Sequence, residues 1–394
     1  MSSHQFGVLL ISGRLPHQDN YALNLRAAPR CTLVGLTDEK DVPPERAQLN
    51  KQFADDLDIP YLPDLDEALA RDDVHVVSIC ADPERRGRIA ARCADAGKHV
   101  YVDKPMTPYL SHADAVVTAV ERAGVRSQMF SSNHQPWVAQ ALQVVQSGEL
   151  GELTAIHVDN LFAKGPNGTA ALGAPRQAVY PPVISNFVDA KAELYAIGVY
   201  ALGFVCLISG RAVETVFGST ANYFFEAHQR RNMEDFGFLS LTLEGGLTAT
   251  ITGGRIGWSS HPAGGSNQIH LIGTKGSLFL SANRPSLEIH NADAPWTPPE
   301  IHPRDPMGFW RTTQEEVRGQ PKRTLAPLSN ALEGRTDASY FIDCIVEERE
   351  SGMNARQAAY LTEILLAGYK SAAEGQIVKM PLARDGDHAQ ATQA

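Results

Sequence analysis

Short apolar runs alternate with helix-patterned stretches over the first hundred residues, and no other feature narrows the fold as much. Phe6 to Ile11 is the compact apolar run that a fully buried parallel strand requires, and Ser12-Gly13-Arg14-Leu15-Pro16 breaks it. Asp19 to Ala28 carries Tyr21, Leu23, Leu25 and Ala28 on a helical stretch that Pro29 ends. Cys31 to Thr37 reads as a second strand, closed by Asp38. A helix with Ala47, Leu49 and Phe53 follows Pro43-Pro44, and Asp64 caps a short helix reaching Ala70. Val74 to Cys80 is a third strand, and Arg85 to Ala96 a third helix. Strands joined through helices of this length form βαβ units, and so an α/β, doubly wound parallel sheet.

The next strand organises the rest. Gly97 turns the chain, Val100 and Val102 alternate as buried strand residues, and the run ends at Lys104-Pro105. Pro105 cannot donate to a ladder, so pairing stops there and Lys104 is held extended or in a turn. The carboxyl end of a parallel strand is where open α/β sheets bind their ligands, which makes Lys104 a candidate site residue.

Asp38 points to what that ligand is. An acidic residue closing the second strand accepts hydrogen bonds from an adenosine ribose diol and repels a 2′-phosphate. That favours NAD over NADP, with Lys40 and Arg14 near enough in sequence to moderate the repulsion. The phosphate turn falls on Ser12, Gly13, Arg14 and Leu15. Of the G-x-G-x-x-G pattern, laid over Ile11 to Pro16, only the middle glycine is present. Gly13 is the one that admits the backbone to the pyrophosphate.

Composition excludes several classes. The 35 basic and 45 acidic residues give a formal charge of -10, with no basic run, which argues against a nucleic-acid partner. The five cysteines form no CxxC pair, and the 13 histidines no H-x-x-x-H spacing, so neither a disulfide framework nor a catalytic metal is expected. There is no G-x-S-x-G elbow. No apolar run is long enough to span a bilayer and no leader is visible, so a cytoplasmic, non-membrane protein is expected.

The second half reads differently. Thr154 to Asn160 alternates as a strand, and Phe162 to Phe187, rich in Gly, Pro, Asn and Ala, as a long loop over a cleft. Ala192 to Ile208 is helical. Phe217–Phe224, Gly237–Leu243, Leu247–Thr252, Gln268–Ile272 and Ser277–Leu280 are strand-like runs between glycine turns. They imply a C-terminal α+β domain with a large, open, mostly antiparallel sheet, whose bare face needs a cover such as a second subunit. A last helix runs from Ala355 to Glu374. The expected organisation is a Rossmann domain at 1–130, a substrate-binding and oligomerisation domain at 131–383 and a tail at 384–394.

Ala96-Gly97-Lys98-His99-Val100-Tyr101-Val102-Asp103-Lys104-Pro105 resembles the A-G-K-H-V-x-x-E-K-P pattern of the Gfo/Idh/MocA oxidoreductases, with Asp for Glu. Ser127 to Asn133, Ser147 to Leu153 and the hairpin Ile272-Gly273-Thr274-Lys275-Gly276-Ser277-Leu278 extend the resemblance over nearly the whole chain. It implies that Lys104 hydrogen-bonds the substrate hydroxyl and the nicotinamide ribose, that Asp103 orients this lysine, and that the Lys104-Pro105 bond is cis. It places Asn133 at the cofactor. The family's D-x-G-x-H/Y segment reads Ala196-Ile197-Gly198-Val199-Tyr200, so Tyr200 takes the acid–base position, with its phenol lowered by the Lys104 ammonium. Lys164 is a further substrate candidate, with Asp189, Lys191 and His261 in loops given less weight.

The chain departs from the pattern in three places. Ala196 stands where the family has Asp, the T-P-x-x-x-H segment reads Ala81-Asp82-Pro83-Glu84-Arg85-Arg86, so its histidine is replaced, and N-x-R reads Asn133-His134-Gln135. The resemblance implies an NAD(P)-dependent oxidoreductase moving a hydride between the nicotinamide and a secondary alcohol of a sugar, polyol or related carbohydrate. It also implies a homodimer or homotetramer built through the C-terminal sheet. The alternatives are an NAD-assisted lyase or glycosidase working by transient oxidation, and a degenerate member without catalysis.

Overall fold

The computed structural model describes residues 5–13, 16–163, 176–182, 190–256, 265–282, 286–291, 302–307, 322–325 and 336–384. The first half contains β1 (Phe6–Ile11), α1 (Pro16–Ala27), β2 (Cys31–Thr37), α2 (Pro44–Asp56), β3 (Tyr61–Leu62) and α3 (Leu65–Leu69). It continues with β4 (Val76–Ile79), α4 (Pro83–Asp95), β5 (His99–Val102), α5 (Leu110–Ala123), β6 (Ser127–Met129) and α6 (Pro136–Gln146). The six strands form one parallel sheet in the order β3-β2-β1-β4-β5-β6, with β1 and β4 central and their side chains buried. The expected doubly wound sheet is therefore present. Both α1 and α4 start earlier than their apolar spacing suggests. A proline opens each, since its fixed φ suits a first helical turn and its missing N–H has no partner there.

The second half contains β7 (Leu153–Ala163), a π-helical turn (Leu194–Gly198), α7 (Val199–Ser209), β8 (Val213–Ala221), α8 (Glu226–Arg230), β9 (Phe236–Leu243) and β10 (Thr248–Ile256). Then come β11 (Gly265–Gly273), β12 (Gly276–Ser281), β13 (Ser286–Asn291), β14 (Lys322–Leu325), α9 (Asp337–Val346), α10 (Ala355–Glu374) and β15 (Val378–Lys379). Its strands form one nine-stranded sheet in the order β14-β13-β12-β11-β7-β10-β9-β8-β15. All pairings are antiparallel except β7 with β10. The meander β8-β9-β10 brings its last strand back beside β7 in the same direction, so the strands are not antiparallel throughout.

One face of this sheet is packed by α7, α10 and the π-helical turn. The opposite face carries Phe217 and Phe279, each about two-fifths exposed. Helix α9 goes elsewhere. Its apolar stripe of Ala338, Phe341, Ile342 and Ile345 is buried with Tyr21 and Leu25 of α1 and Leu36 and Tyr101 of the first sheet. No helix among the described residues is long and apolar enough to cross a membrane.

Candidate active site

Strand β5 is held between β4 and β6, with Val102 opposite Ile79 and Met129. The Asp103 N–H extends that ladder to the Ile79 carbonyl at 2.9 Å. The next peptide bond, Lys104-Pro105, is cis, and Lys104 turns into the interface between the two sheets, where it is only 4% exposed. Its Nζ donates to the Ala196 carbonyl at 2.5 Å and lies 4.6 Å from the centre of the Tyr200 ring. Residues from β5 and from the second half of the chain therefore share one site.

The π-helical turn sets that meeting. Gly198 packs directly on β10: a Cβ at Gly253 would lie 2.6 Å from the Gly198 Cα. The glycine pair lets the turn sit on the sheet, and the widened helix presents the Ala196 carbonyl to Lys104. Single π turns of this kind recur at functional sites. Ala196 contributes a methyl group and that carbonyl.

Electrostatics divide the two side chains. Burial pushes the Lys104 ammonium down to about 7, assisted by Lys191 and Arg86 and opposed by Asp103 and Glu193. Burial pushes the Tyr200 phenol up, with Asp103 and Asp337 adding to it. This departs from the expected lowering of Tyr200. The lysine faces the ring, where a cation–π contact favours the ammonium, and burial outweighs any help to the phenolate.

Asp103 is buried, and its carboxylate makes a dense set of contacts. Oδ1 accepts from the Tyr21 hydroxyl at 2.6 Å and contacts His17 Nδ1 at 2.9 Å, while Oδ2 pairs with Arg86 at 2.5 Å. Burial raises the cost of its charge, but Arg86, His17 and Lys104 outweigh this and hold the carboxyl well below its usual range. It makes no hydrogen bond to Lys104 Nζ: it acts on the ammonium through its charge, and Arg86 ties it to the Lys104 backbone. The fully buried Arg86 guanidinium also donates to the carbonyls of Ala81 at 2.7 Å, Lys104 at 2.8 Å and Pro105 at 2.9 Å.

Along the same carboxyl edge of the first sheet, Ser12 has φ 63° and a buried Oγ without a hydrogen-bond partner among the described residues. Gly13 lies beside it, too close to Asn50 and Phe53 for a side chain: a Cβ there would meet them at 3.1 and 3.2 Å. Asp38 is 1% exposed at the end of β2. An orphaned hydroxyl, a side-chain-free backbone and a carboxylate along the carboxyl edge of the sheet fit a dinucleotide.

Sequence reasoning missed two residues along this edge. Asn50 on α2 accepts from the Gly13 N–H at 2.7 Å and donates to Asp38 Oδ2 at 2.9 Å. Arg85, in the first turn of α4, pairs with Asp38 and, at 2.9 Å, with Glu39. Lys40 pairs instead with Asp64 at 2.6 Å, so the cation moderating Asp38 is Arg85. Asn133 is half-buried and lines a small crevice with Phe130 and Tyr200. Arg14, Leu15, Lys164, Asp189 and His261 lie outside the described residues.

The parallel sheet, its ligand edge and the second sheet closing over Lys104 define a two-domain nucleotide-binding protein. Residues 12–131 match the oxidoreductase family with an NAD-binding Rossmann fold, and residues 138–279 match the GFO/IDH/MocA C-terminal domain. The chain belongs to the Gfo/Idh/MocA oxidoreductase family. It is 24% identical over 247 residues to the uncharacterized oxidoreductase YrbE of Bacillus subtilis (strain 168), covering 62% of this chain and 66% of that protein. It is 26% identical over 225 residues to scyllo-inositol 2-dehydrogenase (NAD(+)) of the same organism, covering 55% and 58%. The match thus spans less than two thirds of these curated relatives. The structure of levoglucosan dehydrogenase in complex with NADH and levoglucosan shares the fold, with a TM-score of 0.71 at 17% identity over 96% of this chain and all of that one.

Proposed function

We propose that the chain is an NAD-dependent dehydrogenase acting on a secondary alcohol of a sugar, polyol or related carbohydrate, with Lys104 as the group that takes the hydroxyl proton. The observation that carries this is the setting of Lys104: a desolvated amine with its proton affinity brought to about neutral, at the ligand edge of an NAD-binding sheet. A general base works best with a pKa near the working pH. Bound NAD+ supplies the two-electron acceptor; Ser12, Gly13, Asp38 and Asn133 are the residues that would hold it. The alcohol's O–H bond breaks toward Lys104 Nζ as its carbon becomes a carbonyl carbon. The Ala196 carbonyl fixes the amine in either protonation state.

Tyr200 takes a different part from the one its position suggests. With its phenol pushed upward it stays protonated, so it is a hydrogen-bond donor to the substrate oxygen, and its ring face stabilises the ammonium that Lys104 becomes.

The names of relatives favour a carbohydrate: one is an inositol dehydrogenase and one was solved with levoglucosan. The exposed face of the nine-stranded sheet, with Phe217 and Phe279, supports self-association as a homodimer or homotetramer. The test is purified chain with NAD+ against a panel of sugars and polyols, following formation of reduced nicotinamide. Failure to bind NAD+ in calorimetry would end the reading.

A further inference from the structure

Asp38 closes β2, but its charge is already answered. Oδ1 accepts from the Glu39 N–H at 2.9 Å and pairs with the Arg85 guanidinium, and Oδ2 accepts from Asn50 at 2.9 Å. Glu39, the next residue, holds two arginines of α4 at once. Its Oε2 accepts from Arg85 Nε at 2.9 Å. Its two oxygens also take Arg88 as a fork, from Nε at 3.0 Å and from a terminal nitrogen at 2.8 Å. The Glu39 and Arg85 side chains are only 12% and 14% exposed. Burial works against the Glu39 charge, but Arg88 and Arg85 outweigh it and hold the carboxyl below its usual range.

A cavity of about 360 Å³ opens beside this cluster, between the starts of α2 and α4. Arg46 and Leu49 line one side, and Asp82, Arg85 and Arg88 the other. Asp82 lies 3.6 Å from Arg46 and 3.7 Å from Arg85. Asp41 and Glu45 also line the cavity, with no hydrogen bond or ion pair to Arg85 or Arg88 among the described residues. Asp38 and Glu39 thus cancel Arg85 and Arg88 one for one, and Glu39 is the carboxylate common to both arginines.

We propose that Glu39 sets the nucleotide selectivity of this chain: by holding Arg85 and Arg88 it denies the 2′-phosphate of NADP the two cations that would receive it. This rests on the placement of NAD+ in the proposed function, with the adenosine ribose at Asp38. Guanidinium forks are the groups that recognise a phosphate best, and here a carboxylate of the chain closes them. A 2′-phosphate would have to displace Glu39 and leave its carboxylate beside two further negative charges. A ribose 2′-hydroxyl makes no such demand. It needs one acceptor, and Asp38 Oδ2, which takes a single bond from Asn50, has capacity for a second. Without the Glu39 charge, the Arg88 fork opens and one positive charge of the cluster is left over.

Calorimetry on the full chain with NAD+ and with NADP+, in the absence of substrate, tests this. Wild type is expected to bind NAD+ about tenfold more tightly than NADP+. In Glu39→Gln, and independently in Glu39→Ala, the ratio of NADP+ to NAD+ affinity is expected to rise about tenfold. Adding Arg88→Met to Glu39→Gln is expected to take that gain away. A ratio that neither Glu39 variant moves, a gain that survives Arg88→Met, or a wild type that binds NADP+ as tightly as NAD+ overturns the proposal. Binding of neither dinucleotide by wild type ends the dehydrogenase reading and this proposal together. NAD+ binding with an unmoved ratio ends this proposal alone.

Discussion

The Arg86 guanidinium grips the backbone of Lys104: it donates to the Lys104 carbonyl at 2.8 Å while its other end pairs with Asp103 at 2.5 Å. One buried side chain thus fixes the residues on both sides of the Asp103–Lys104 peptide bond. With Ala81 and Pro105 also held, it ties the end of β4 to the turn after β5.

Replacing Arg86 tests that role. Arg86→Met leaves a buried Asp103 carboxylate without its cation, and breaking one side of such a pair costs about 3–5 kcal/mol. The unfolding midpoint in urea is expected to drop accordingly. Arg86→Lys keeps the charge but cannot reach three carbonyls and a carboxylate at once. It is expected to restore most of the stability while kcat stays low, because Lys104 is no longer fixed. Equal kcat in Arg86→Lys and wild type would show that the grip is structural alone.

The buried Lys104 that turnover needs lowers the stability of the fold. Its folded-state pKa is about 7 against an ordinary 10.5. Between those values the unfolded chain binds the extra proton, so this group makes stability rise with pH across that window and imposes its full penalty below it. Lys104→Met removes the penalty. The variant is expected to be more stable than wild type at pH 6, with an advantage that shrinks toward pH 10, and to lose turnover by about 100-fold or more. In wild type, alcohol oxidation is expected to rise with pH through about 7 as the free amine forms, and the reverse reduction to fall over the same range. Thermal melts at several pH values and pH–rate profiles in both directions check this.

The sequence carries the strand ends well and the buried cations poorly. β2 and α10 fall on the residues that pattern and punctuation indicate, because proline and glycine bound them sharply. Lys104 is legible since Pro105 stops its strand, and Asp38 since it closes one. Arg86 is not: in the first turn of a helix, between Arg85 and Gly87, an arginine reads as a solvated side chain. Its burial comes from the close approach of α4 to the turn after β5, which no local spacing encodes. Asp337 is similar. It lies far along the chain, yet α9 brings it to Tyr101, whose hydroxyl donates to it at 2.8 Å, and burial pushes its carboxyl up to about 7.

The glycine contact under the active-site turn offers a separate test. At Gly253 an added methyl would meet the Gly198 Cα at 2.6 Å, backbone that cannot yield without moving the turn. Gly253→Ala is expected to cost about 1–3 kcal/mol of stability by overpacking. It is also expected to lower kcat, since the Ala196 carbonyl shifts away from Lys104, while NAD+ affinity, set across the other sheet, stays near wild type. Calorimetry and steady-state rates on one preparation separate these effects.

The open face of the nine-stranded sheet gives the last prediction. Cross-strand register places Phe217, Ser240, Thr250, His157, His270, Phe279 and Glu288 in one transverse row. His157 and His270 face each other across β7 and β11 with rings 6.2 Å apart, and burial together with His157 and His290 lowers the pKa of His270. If a second copy covers this row, His270 meets the partner surface in a drier setting, and its protonation places a charge there. The assembly is expected to be stable above pH 7 and to dissociate toward pH 5. Phe279→Glu is expected to give monomers at every pH, and His270→Gln to hold the assembly together in acid. Sedimentation velocity across that range decides it: a mass that does not change with pH or with Phe279→Glu would place any self-association on another surface.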